Sequence, residues 1–225
     1  MKTAVIGTGK TGGTVLKLLN DDQIIGPFNT GNKPTLDALQ QAKVCIIFVP
    51  GSAVDDILET VLTAQVPAVW GSTGYDWPVE KIEDRLKDDH NKWLRASNFS
   101  LGMQIIRRCL NIIGEGAERL NHPAFSIHEI HHTGKKDAPS GTALSWQEWL
   151  GREAEITSER KGDIKGIHKF EMKTSFENVT LKHEAKDRAV FAEGALWAAK
   201  QLVRPEIEPG FYAMKEIFDN LTGRR

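Results

Sequence analysis

The chain has 225 residues, of which 40% are hydrophobic, so it is long enough for one large domain or two small ones with a real core. A formal net charge of −1 gives no electrostatic pull toward nucleic acid or an anionic membrane surface, and no apolar run reaches the length of a membrane span. The cysteines, Cys45 and Cys109, lie in apolar segments and read as buried free thiols; with no long apolar signal region in the N-terminal stretch, a cytoplasmic location is expected.

Ala4, Val5 and Ile6 predict a short buried strand. Gly7-Thr8-Gly9-Lys10-Thr11-Gly12 follows it and matches G-x-G-x-x-G, with Val15, Leu16, Leu18 and Leu19 at helical spacing beyond. Strand, glycine turn and helix are the context in which such a turn receives a pyrophosphate at a helix N-terminus, so a dinucleotide is expected on Gly7, Thr8, Gly9, Lys10, Thr11 and Gly12. A second strand is predicted over 23–28. NAD-selective folds place an acid near its end; here the chain reads Phe28-Asn29-Thr30-Gly31-Asn32-Lys33, and Asp21 and Asp22 precede the strand.

A short helix over 35–41 leads to the apolar run 44–49, as expected for a central parallel strand covered on both faces. Ser52, with Asp55 following, is read as the cap of a helix whose buried stripe is Val54, Ile57, Leu58, Val61 and Leu62. A strand over 67–70 ends in Gly71-Ser72-Thr73-Gly74, at the strand end where open α/β sheets bind ligands. A charged helix over 79–88 and a strand over 93–96 complete a strand-helix alternation that predicts a parallel sheet.

The pattern changes after about residue 100. A long helix is predicted over 102–120, a strand over 125–130, a polar loop, a helix over 143–150, and a charged loop over 152–166. Segments 168–176 and 179–186 alternate apolar and polar residues, with Glu177-Asn178 able to turn a hairpin between them. Helices are expected over 189–203 and 211–221.

The polar loop gathers most of the reactive side chains: His131-His132-Thr133-Gly134-Lys135-Lys136-Asp137-Ala138-Pro139-Ser140-Gly141-Thr142. Imidazole suits proton transfer near neutral pH, and a lysine supplies a fixed positive charge or a second proton. Ser140 sits where it would cap the following helix, leaving the amides of Gly141 and Thr142 as an anion site. The cluster suits a small carboxylate that must also receive a proton. His128-Glu129-Ile130-His131-His132 also contains H-E-x-x-H, which binds zinc only on a helix; the β-rich lead-in and Gly134 argue for a strand, so no metal is expected.

With these residues in view, the chain resembles the dihydrodipicolinate reductase family (4-hydroxy-tetrahydrodipicolinate reductase) nearly end to end. The most specific match is His131-His132-x-x-Lys135-x-Asp137-Ala138-Pro139-Ser140-Gly141-Thr142-Ala143, supported by Gly71-Ser72-Thr73-Gly74, Ser97-Asn98-Phe99-Ser100 and Arg160-x-Gly162-Asp163-x-x-Gly166-x-His168. The resemblance implies His131 as proton donor, Lys135 as second catalytic residue, and His132, Gly141 and Thr142 as holders of substrate carboxylates. It extends the dinucleotide site to Gly71, Ser72 and Thr73 and to Ala96, Ser97, Asn98 and Phe99. It implies hydride transfer from NADPH or NADH to a conjugated cyclic imine in diaminopimelate and lysine biosynthesis, with a homotetramer as the assembly. Two features depart from the family pattern: Lys10-Thr11-Gly12 stands where members usually have Gly-Arg-Met-Gly, and the acid after the second strand is missing.

The expected fold class is therefore α/β, with a Rossmann-like parallel-sheet domain over 1–100 and 188–225 and a smaller α+β substrate and oligomerisation domain over 101–187. The alternatives are a reductase of another small dicarboxylate, a non-catalytic dinucleotide sensor, and a zinc hydrolase using His128, Glu129 and His132.

Overall fold

The computed structural model describes residues 1–221 of the chain. It divides into two compact units, one of residues 1–100 and 189–225, the other of residues 101–188.

The first unit is a six-stranded, wholly parallel sheet. Its strands are β1 (Thr3–Ile6), β2 (Ile24–Phe28), β3 (Val44–Ile47), β4 (Ala68–Trp70), β5 (Lys92–Arg95) and β10 (Gly210–Ala213), in spatial order β10-β5-β4-β3-β1-β2. The helices are α1 (Lys10–Leu18), α2 (Leu36–Leu39), α3 (Asp55–Thr63), α4 (Val79–Asp88), α7 (Ala189–Leu202) and α8 (Met214–Leu221). Every residue of β1, β3 and β4 is buried, which explains their unbroken apolar runs: helices cover both faces. Trp70 and Trp93 anchor the core and pack with Trp77 and Phe211.

The second unit sets α5 (Leu101–Gly116) and α6 (Gly141–Leu150) with a four-stranded sheet of order β7-β6-β8-β9. Its strands are β6 (Ala124–His131), β7 (Glu155–Arg160), β8 (Ile167–Lys173) and β9 (Asn178–Glu184). β6 pairs parallel with β7 and antiparallel with β8, and β8 and β9 form the hairpin read from their alternation. Leu110, Trp146 and Phe170 are fully buried in its core.

This is the Rossmann-like parallel sheet plus smaller α+β unit read from the sequence. Several local expectations fail for identifiable reasons. Residues 155–160 form β7 rather than loop, because a charged edge strand shows no apolar alternation. The segment 211–221 is not all helix: Gly210–Ala213 adds β10 beside β5 before α8 begins. Ser52 does not cap α3; it lies in a 3-10 turn, Gly51–Ala53, and Val54 is the N-cap. Phe176, assigned to an apolar strand face, sits in the hairpin turn and is 99% exposed. Cys45 is buried, which pushes its thiol up to about 12, whereas Cys109 is only partly buried.

Candidate active site

In the first unit, the sheet order changes direction at β1, whose neighbours β2 and β3 lead to opposite sides. Ligands of open parallel sheets bind outside the carboxyl ends of the strands at such a point. A pocket lies there, lined by Gly7, Thr8 and Gly9 after β1, by Asn29, Thr30 and Lys33 after β2, and by Phe48 and Pro50 after β3. Lys10, Thr11 and Gly12 form the first turn of α1, whose N-cap is Gly9. Gly7 has φ +95°, and a Cβ on Gly12 would fall 1.8 Å from the Gly7 carbonyl oxygen, so both glycines are required for α1 to start this close to β1.

The other expected cofactor segments reach the same end of this sheet. Gly71, Ser72 and Thr73 follow β4, and a Cβ on Gly71 would fall 2.1 Å from the Phe48 ring. Ala96 donates to the Trp70 carbonyl at 3.0 Å, Asn98 Oδ1 accepts from the Ser100 amide at 2.9 Å, and the Phe99 ring meets Phe48 edge-on at 5.6 Å. Ser97 lies between these contacts. Ser72 Oγ is buried without a hydrogen-bond partner among the described residues, as expected of a group that awaits a polar ligand. An acid does face the pocket: Asp56 of α3, 3.8 Å from Lys33, with both side chains exposed. Reading only the end of β2 missed it because it arrives from another element.

In the second unit, His131 is the last residue of β6 rather than the first of the loop. Alternation along the strand puts Glu129 and His131 on the buried face and His128 on the other, where it bonds Thr157 Oγ1 at 2.8 Å. The H-E-x-x-H run therefore lacks the helix that would bring its residues onto one face. Ser140 caps α6 as read from the sequence: its hydroxyl accepts from the Ala143 amide at 3.2 Å, and Gly141 and Thr142 open the helix. His132 is partly buried at the start of the loop, and its carbonyl accepts from the Lys135 amide at 3.1 Å.

Glu129 is 0% exposed, and its carboxylate joins these parts. Oε1 accepts from the Ser140 amide at 3.1 Å and from Arg160 Nη2 at 2.9 Å. Oε2 lies 2.6 Å from His131 Nδ1, an ion-pair contact that is not aligned as a linear hydrogen bond. Arg160, on β7, also donates to the loop carbonyls of Lys135 and Asp137. His168, on β8, stacks edge-on against His131 at 5.0 Å and meets Ser140 Oγ at 3.2 Å.

Burial pushes the Glu129 carboxyl up, but hydrogen bonds from Ser140, Ser158 and Arg160 more than reverse this and hold it at about 2. Burial lowers His131 below its ordinary value; Glu129 opposes the shift, while Lys135 and Arg160 add to it. Burial, with His131 alongside, brings His168 down to about 4. Lys135 pairs with Asp137 at 2.9 Å, and that lysine, followed by the amides of Asp137 and Gly141, keeps the Asp137 carboxyl below the usual range.

Glu129, His131 and His168 bring possible ligand atoms within 4.8 Å of one another. Arg160 already occupies one oxygen of Glu129, and its charge with that of Lys135 disfavours a cation there. The arrangement instead offers an imidazole backed by a buried carboxylate, a partly exposed lysine, and a capped helix N-terminus, which suit protonation of a bound anion. The sequence reading placed Glu129 only in the alternative zinc site and His168 only in a matching motif, and gave neither a part in the proton-donor cluster. Period-2 spacing on a strand was the available signal for the first; the second needed the β6–β8 register, which sets Glu129 opposite His168.

Comparisons with known proteins give the family and the fold. Residues 102–218 match the family described as dihydrodipicolinate reductase, C-terminus. A 4-hydroxy-tetrahydrodipicolinate reductase of Haloarcula marismortui is 32% identical, with 97% of this chain and 99% of that protein covered. One from Bdellovibrio bacteriovorus is 34% identical over 83% of this chain and 81% of its own. Among solved structures, dipicolinate-bound dihydrodipicolinate reductase from Paenisporosarcina sp. TG-14 superposes with a TM-score of 0.75 at 17% identity, covering 96% of this chain and 99% of that one, which is a likeness of fold.

Proposed function

This chain belongs to the dihydrodipicolinate reductase family, and on that premise we propose that it reduces 4-hydroxy-tetrahydrodipicolinate to tetrahydrodipicolinate, in diaminopimelate and lysine biosynthesis. The observation that carries this reading is the match to reductases of that name along nearly the whole chain. A reduced nicotinamide dinucleotide, when bound, supplies the hydride. The glycine turn, the open face of Gly9 and the unpartnered Ser72 hydroxyl fit such a group.

The residues of this chain do the rest. Gly7 to Gly12, with Gly71 to Thr73 and Ala96 to Phe99, hold the dinucleotide. The amides of Gly141 and Thr142, with His132, orient the substrate carboxylates at the α6 N-terminus. Loss of water leaves a conjugated cyclic imine; after hydride has been added, the adjacent carbon takes a proton from protonated His131. Lys135 stabilises the negative charge that develops before that proton arrives. The cluster disfavours a pure sensor, which needs no proton donor.

For the cofactor, NADPH is expected to serve at least as well as NADH. No carboxylate follows β2, and Lys33 lies in the pocket to meet a 2′-phosphate; Asp56 beside it offsets much of that charge, so selectivity is weak. The assembly is expected to be a homotetramer formed through the second unit's sheet, whose edge strand β9 has an alternating face. A cytoplasmic location fits this chemistry.

The test is oxidation of reduced nicotinamide followed by absorbance with purified protein. Oxidation should depend on 4-hydroxy-tetrahydrodipicolinate and be insensitive to a zinc chelator. Tight dinucleotide binding without turnover would favour the sensor instead.

A further inference from the structure

We propose that Glu129 is a positioning residue for the reaction: its buried carboxylate holds His131 with Nδ1 as the protonated nitrogen and ties that imidazole to the α6 N-terminus. The proposal rests on the reading of His131 as proton donor. Its basis is the placement of three contacts on one carboxylate. Oε2 is 2.6 Å from His131 Nδ1, an ion-pair contact rather than an aligned hydrogen bond, while Oε1 accepts from the Ser140 amide at 3.1 Å and from Arg160 at 2.9 Å. Ser140 is the cap of the helix whose first residues, Gly141 and Thr142, form the anion site. One carboxylate therefore fixes the distance between the proton donor and the bound carboxylate, and preorganised distances of this kind govern proton-transfer efficiency.

The nitrogen left for the substrate is Nε2. It faces Gly166 of the β7–β8 connection, where a Cβ would come within 3.1 Å. That residue has φ +154°, so glycine both tolerates the backbone and keeps a side chain off Nε2. Glu129 of the same strand and His168 of β8 contact His131, and Arg160 of β7 and Lys135 of the loop act on it electrostatically. The two cations and burial favour the neutral ring, while Glu129 favours the imidazolium that must donate. Arg160 and Ser140 keep Glu129 ionised, so the network is polarised in one direction.

Glu129→Gln preserves shape and an acceptor for Ser140 but removes the charge. Turnover should fall by about 10²-fold, the lower end of what general acid catalysis contributes, with KM for the dicarboxylate within about threefold of wild type. The pH at which kcat falls on the alkaline side should move down, because the unsupported imidazolium loses its proton earlier. Glu129→Asp should recover part of both effects. Nitrogen NMR of the wild-type histidines covers the case in which Glu129→Gln does not fold: neutral His131 should carry its proton on Nδ1. A neutral ring protonated on Nε2, or a folded Glu129→Gln whose pH profile is unmoved, overturns the proposal. His131→Gln separates the two readings. Full turnover there removes the proton donor itself; lost turnover there beside an unchanged Glu129→Gln removes this inference alone.

Discussion

His131 and Lys135 differ in what surrounds them, and their substitutions should differ accordingly. His131 is buried against a carboxylate, whereas Lys135 is partly exposed and already paired with Asp137. Lys135→Ala should lower kcat by about 10-fold or more, within the contribution of one electrostatic stabiliser, and stopped-flow turnover would measure it. Thr142→Val removes a hydroxyl and leaves the amide; KM for the dicarboxylate should rise while dinucleotide affinity holds, and weakened dinucleotide binding alone would reassign the loop. pH acts on stability through His168. Its folded value is about 4, below the ordinary histidine value, so the unfolded chain takes up a proton first as pH falls. Its contribution is complete above about pH 6.5 and is lost between there and about pH 4. Glu129 adds a loss in the same direction as pH falls from the ordinary carboxylate range toward about 2. Denaturant unfolding at a series of pH values should show the decline, and His168→Gln should make it shallower above about pH 4, with His131 keeping part of it.

The elements with strong periodic signals were the legible ones. β3 declared itself as an unbroken apolar run, and α6 as a serine cap followed by apolar spacing. β7 was illegible because five of its six residues, Glu155, Thr157, Ser158, Glu159 and Arg160, are polar; its place is set by backbone pairing with β6, which sequence alternation does not record. β10 was absorbed into a helix because four residues are too few for a period, and Phe211 suits either reading. The loop residues of the site were visible by type, but the partner that organises them was not, since Glu129, Arg160 and His168 come from three strands. At the β1–α1 turn the sequence and structure coincide. Gly12→Ala places a methyl against the Gly7 carbonyl, so α1 must move; a stability loss of about 1–3 kcal/mol and weaker dinucleotide binding are expected. Calorimetric titration with the dinucleotide and chemical unfolding would check both, and wild-type values in each would refute the close-approach account.

For the whole molecule, the proposed function divides the labour: the first unit would hold the dinucleotide and the second would protonate the substrate. Cofactor choice belongs to the first unit alone. NADPH and NADH should give kcat/KM values within about tenfold of each other, or about 1.4 kcal/mol, with any NADPH advantage fading as salt rises and in Lys33→Ala. Asp56→Ala should shift the balance toward NADPH; a strong NADH preference in the wild type would show that Asp56, not Lys33, dominates. Light scattering at several protein concentrations would test the tetramer. The central claim is that this chain delivers a proton from His131 to a reduced dicarboxylate. Steady-state turnover of 4-hydroxy-tetrahydrodipicolinate by wild type and His131→Gln, with dinucleotide binding measured on the same samples, tests it most directly. The expected result is unchanged dinucleotide affinity with kcat lower by about 10²–10⁴-fold in the variant. Equal kcat in the two proteins would contradict it.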